Sequence, residues 1–164
     1  MNFLILLLAA LVPMILGFIW YNPKVFGNAW MKASGMTDEK VKSGNMALIF
    51  GLSYVFSLML ALILQALVIH QSHLASIVLN EPGFMEGTGE AFEMVEAFKT
   101  KFGSNFRTFG HGMFHGVIAG FFIALPILAT NALFERKGFK YIAVNAGYWI
   151  LTLGLMGGVI CQWA

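Results

Sequence analysis

Charge is what this sequence lacks. Of its 164 residues only 11% are Asp, Glu, Lys or Arg, where an ordinary soluble domain carries about 25%. The few charges fall in three short stretches, Lys24–Lys42, Glu81–Arg107 and Glu135–Lys140, and the four runs around them contain none. An ionised side chain at the centre of a bilayer is costly, so a chain that threads lipid must sort its charges in this way; a soluble chain has no reason to.

Other absences narrow the reading. A single cysteine, Cys161, excludes an internal disulfide. The net charge of +2 is small and scattered, which gives no basic face for nucleic acid. No run holds a charge that could relay a proton or ion, and no inverted repeat relates the first pair of runs to the second. Ion-coupled transport by alternating access is therefore disfavoured. No nucleophile elbow, Gly-rich phosphate loop or His-Glu-x-x-His sequence occurs, so no motif speaks for an enzyme. Asn2-Phe3-Leu4 supplies no basic region, and Gly17-Phe18-Ile19-Trp20-Tyr21 offers no small-x-small cleavage site. The first run is expected to persist as a helix.

What is present is long apolar sequence. At a rise of about 1.5 Å per residue, a helix needs about 20 residues to cross the hydrocarbon core. The runs predict crossings near 3–20, 46–70, 109–134 and 141–163. They do not alternate as barrel strands do, and an open sheet cannot satisfy its backbone in lipid. The expected fold is an all-α membrane protein: four transmembrane helices in one bundle over 1–164, with short amphipathic surface helices in the first and second loops. Pro13 and Pro126 lie inside spans and predict kinks. Gln65, deep in the second span, is expected to pair with another helix.

Orientation follows from Lys and Arg. The first and third loops hold Lys24, Lys32, Lys40, Lys42, Arg136, Lys137 and Lys140; the second holds Lys99, Lys101 and Arg107 among five glutamates. The positive-inside rule puts the first and third loops in the cytoplasm, with both termini and the acidic loop outside. Trp20, Tyr21, Tyr141 and Trp163 stand at span ends, where amphipathic rings favour the headgroups.

The loops have structure of their own. Asn22-Pro23 reads as a helix start, with Asn as cap and Pro in the first position. Thr37 before Asp38-Glu39 reads as another. Ala91, Met94, Val95, Phe98 and Phe102 form one apolar stripe of a helix over 90–102, which would lie on the outer membrane surface or cap the bundle. A lid over an outward-facing site is the sharper version of the same geometry.

Several strings resemble a bacterial integral-membrane family, domain of unknown function 1761. The most specific is Trp20-Tyr21-Asn22-Pro23-Lys24-Val25-Phe26-Gly27-Asn28-Ala29-Trp30. Others are Asn105-Phe106-Arg107-Thr108, His115-Gly116, Asn131-Ala132-Leu133-Phe134-Glu135-Arg136-Lys137 and Asn145-Ala146-Gly147-Tyr148-Trp149. The resemblance covers nearly the whole chain. It implies a small four-helix bacterial membrane protein, and no activity or site residues; the bacterial inner membrane is the expected location.

Two constellations remain. His70 and His73 close the second span, His111 and His115 open the third, and Cys161 ends the fourth, all toward the outward face. His111 and His115 share a helix face, and helix bundles are known places for metal or haem sites. The best ligands would be His70, His111 and His115; Glu90, Glu93 and Glu96 could join only if the surface helix folds over them. The plainer role for histidine at a helix end is interhelical hydrogen bonding or headgroup contact. Gly112, Gly116 and Gly120, with Gly154 and Gly157-Gly158, are smooth stripes suited to close helix packing, within one chain or in a homo-oligomer.

The first functional expectation is a non-catalytic structural or accessory membrane protein. It would sit among membrane lipids, self-associating or packing with another membrane protein. The alternative is a metal- or haem-binding module at the outward histidines. A third is a channel or transporter for a small neutral solute, which the sparse polar lining disfavours.

Overall fold

The four apolar runs fold as helical segments long and apolar enough to cross a membrane: Phe3–Trp20, Met46–Val68, Phe109–Phe134 and Phe139–Trp163, in a computed structural model that describes residues 2–164. No strand occurs among the described residues.

The prolines act where expected, by different routes. The first span is two helices, α1 (Phe3–Ala9) and α2 (Val12–Trp20). Pro13 sits in the first turn of α2, where a missing N–H costs nothing; its ring would clash with the carbonyl of Ala9, which is where α1 stops. The first loop carries α3 (Gly27–Ser34) and α4 (Asp38–Ser43), and the second span is the unbroken α5 (Met46–Val68). The second loop carries α6 (Ser72–Ile77) and α7 (Glu90–Phe102). The third span runs as α8 (Phe109–Ala119), a π-helical turn (Gly120–Ala124) and α9 (Leu125–Phe134). The π turn lies just before Pro126, which opens α9, so the ladder widens where proline could not join it. The fourth span is α10 (Phe139–Trp163), which begins two residues earlier than the sequence reading.

α10 is the hub. Its spanning window is 61% buried inside the protein, against 17–22% for the other three, and it touches all of them. The closest seam is with α8, and glycine makes it. A methyl at Gly112 would meet the Gly157 carbonyl and Cys161, one at Gly116 the Leu153 carbonyl, and one at Gly120 the backbone of Ile150. The buried core, including Leu6, Ala9, Ala61, Leu64, Val68, Met156 and Ile160, lies among the first, second and fourth spans. Tyr54 also donates from α5 to the Leu7 carbonyl at 3.2 Å. Gln65 is half-buried on α5.

One rim holds the basic loops. Lys137 Nζ donates to the Ser34 carbonyl at 2.6 Å, tying the third loop to the first. The Trp20–Trp30 string folds as a clamp there. Trp20 Nε1 donates to the Val144 carbonyl at 3.1 Å, and the Tyr21 hydroxyl to Asn145 Oδ1 at 3.1 Å. Trp20 packs on Phe26 with centroids 4.4 Å apart, and Tyr21 meets Trp30 edge-on at 5.5 Å. Burial and the neighbouring Tyr148 and Tyr141 push the Tyr21 phenol well above its usual pKa, so it stays a donor. Asn22-Pro23 is not a helix start. The Asn22 side chain accepts from Lys24 N at 3.0 Å in a turn, and the helix begins only at Gly27, whose missing side chain lets it pack on the Tyr21 carbonyl. Thr37 does cap α4, accepting from Lys40 N at 3.3 Å.

Candidate metal centre

The opposite rim carries the histidines. α5 stops at Val68, two residues short of the predicted span end, and Ile69 is extended with φ −111° and ψ 91°. That change of direction carries His70 off the end of α5. α8 starts from Thr108, whose hydroxyl accepts from His111 N at 3.3 Å. The free Phe109 N–H is taken by Gln162 Oε1 at 2.9 Å, pinning the first turn of α8 to the end of α10. With Gly112 and Gly116 pressed on α10, His111 and His115 come round to meet His70.

The three rings converge through the same atom. His70 Nε2 lies 3.1 Å from His111 Nε2 and 3.3 Å from His115 Nε2, and all three ligand nitrogens fall within 4.8 Å of one another. The rings meet edge-on, with centroids 4.5–5.2 Å apart. His70 is exposed, and His111 and His115 are half-buried. Zinc-bound nitrogens at about 2.0–2.1 Å in a tetrahedron lie about 3.3–3.4 Å apart; the His70–His115 separation matches this, the His70–His111 separation is slightly shorter, and both are also hydrogen-bond distances.

The remaining candidates stay apart. His73 turns its Nε2 to the Ala66 carbonyl at 2.8 Å. The Cys161 thiol is buried and directed at the carbonyls of Val68, 3.3 Å away, and Phe106, 3.4 Å away. α7 forms as predicted, but no carboxylate joins the histidines among the described residues. Glu96 pairs with Lys99 at 2.9 Å, and Glu90 lines a separate cleft with Val78, Glu81 and Pro82.

The trio opens beside a cavity of about 470 Å³, within the size range of small-molecule pockets. His70, Leu74, Phe98, Phe102 and Phe106 line it, with the polar Gln71 and Asn105. Gln71 Nε2 donates to the carbonyls of Asn105 at 2.8 Å and Phe102 at 3.4 Å, tying the end of α7 across the end of α5. Phe106 lies 5.2 Å from the His111 ring and has φ +60°, a left-handed backbone that non-glycine residues rarely adopt and that clusters at ligand sites. The sequence reading gave Asn105 and Phe106 no role at the site. The only signal for them was the Asn105–Thr108 string that carried the family resemblance.

The donor set fits a bare ion and not haem. A haem iron offers two axial positions on opposite faces of a ring, whereas three imidazole nitrogens meeting at one point leave no slot for a porphyrin. Imidazole suits Zn, Cu, Fe and Ni, and three histidines with a fourth position open is a known zinc arrangement.

Fold and site together define an all-α membrane protein of four spans with three histidines gathered at one rim. The chain belongs to the family of proteins of unknown function DUF1761, whose model matches residues 4–161. No curated protein and no solved structure matches it.

Proposed function

We propose that the protein is a metal-binding membrane module that holds a divalent first-row transition ion, zinc foremost, through Nε2 of His70, His111 and His115. The single observation behind this reading is the convergence of the three Nε2 atoms, with separations of 3.1 and 3.3 Å about His70. Hydrogen bonding alone satisfies such a trio only with a particular mixture of tautomers, because each neutral ring has one donor and one acceptor. An ion takes all three lone pairs at once. For that reason metal binding displaces the accessory-subunit expectation as the leading reading.

The module sits in the bacterial plasma membrane with the histidine rim outward. Support for this orientation is the gathering of seven Lys and Arg in the first and third loops, joined by Lys137 and Ser34, against three in the second.

The test is metal content. Purified protein is stripped with chelator, loaded with Zn²⁺, desalted and analysed for zinc per chain. One retained ion in the wild type and none in folded His111→Ala is expected. Folded wild type that retains no zinc would overturn the proposal.

A further inference from the structure

The open side of the histidine trio has a chemical character of its own. Three neutral imidazoles leave the charge of a dication uncompensated, and no carboxylate stands among the ligands in the described residues. Arg107 adds another positive charge at this rim, its Nε donating to the Cys161 carbonyl at 2.6 Å. A dication held only by neutral ligands favours an anion at its open position. The cavity that meets the site at His70 is walled by Leu74, Phe98, Phe102 and Phe106, and no residue of its lining is charged. Nothing in it would hold a small hydrated anion away from the ion, and its walls favour a carbon chain or ring.

We infer that this cavity takes an amphiphilic carboxylate, whose headgroup completes the coordination of the ion on His70, His111 and His115 while its apolar body lies against Phe98 and Phe102. The inference rests on the metal reading above. The carboxylate displaces water from the fourth coordination position, and no covalent bond is made or broken in the organic molecule. α7 is the residue-level source of selectivity. Its stripe supplies Phe98 and Phe102, whose rings pack 4.9 Å apart, and Gln71 keeps the end of the helix over the site.

The experiment uses the full chain in phosphatidylcholine nanodiscs, loaded with Co²⁺ so that coordination is read from visible absorption. Decanoate, acetate and decanol are titrated in turn. Decanoate is expected to perturb the cobalt bands at far lower concentration than acetate, and decanol not at all. Phe98→Ala, at a partly exposed position on α7, should weaken decanoate about tenfold and leave acetate unchanged, since it removes apolar contact and touches no ligand. That ratio separates cavity binding from simple enrichment of decanoate in the bilayer. Cobalt bands that ignore decanoate, or a decanoate-to-acetate ratio unmoved by Phe98→Ala, would overturn the inference while leaving the metal site standing. Folded protein that binds no cobalt would overturn both.

Discussion

His70 Nε2 stands 3.1 Å from His111 Nε2 across the junction of the second and third spans, although 41 residues separate the two in sequence. The contact exists because Ile69 leaves the helical path and Thr108 starts a new helix beside it. Neither device depends on metal. Stripping the ion should therefore leave helicity and sizing in detergent unchanged, unlike a zinc finger. Reloading should stabilise the fold by about 2.7 kcal/mol at a hundred times the dissociation constant. Thermal unfolding followed with and without Zn²⁺ checks this, and the increment should vanish in His70→Ala.

The α8–α10 seam makes a sharper prediction about stability. Gly116→Ala drives a methyl into the Leu153 carbonyl and should cost about 1–3 kcal/mol or more, as overpacking does. Gly51→Ala on α5, where nothing lies within 4 Å, should be neutral or slightly stabilising. Unfolding midpoints of the two variants in the same detergent give the comparison.

Tyr148 ties the hub to the break in the first span, donating to the Pro13 carbonyl at 2.6 Å from a buried position. Tyr148→Phe keeps the ring and removes the bond. It should cost about 0.5–1.5 kcal/mol, the usual net value of one hydrogen bond, and leave zinc content unchanged because the site is at the other rim. Unfolding together with metal analysis separates the two effects.

The spans were legible from sequence because lipid excludes charge: the stretches without Asp, Glu, Lys or Arg enclose the first three spans and all of the fourth beyond its first two residues, Phe139 and Lys140. The three ligand candidates were legible too, since His70 closes the second span and His111 and His115 open the third. His111 and His115 are four apart on one helix, so local geometry pairs them. How His70 reaches that pair was not legible, because it depends on the turn at Ile69, a single extended residue with no sequence signature. The Asn22-Pro23 start failed because the same residues that cap helices also make turns, and the clamp of Trp20, Tyr21 and Trp30 decided between them. Phe106 gave no sign of its left-handed backbone, since glycine is what usually marks one. The cavity is made by the docking of α7 over α5, and no local pattern encodes that.

The proposed orientation predicts a labelling pattern. In intact cells a membrane-impermeant maleimide should modify Glu86→Cys in the second loop and spare Lys42→Cys in the first, while Cys161, being buried, contributes little background. The reverse pattern would place the histidine rim in the cytoplasm.

The decisive measurement is X-ray absorption at the zinc edge of the loaded protein. Three-histidine coordination predicts a nitrogen or oxygen first shell at about 2.0–2.1 Å with outer-shell scattering from three imidazole rings, one of which is lost in His70→Ala. A shell containing sulfur at about 2.3 Å, or one without imidazole scattering, would contradict it.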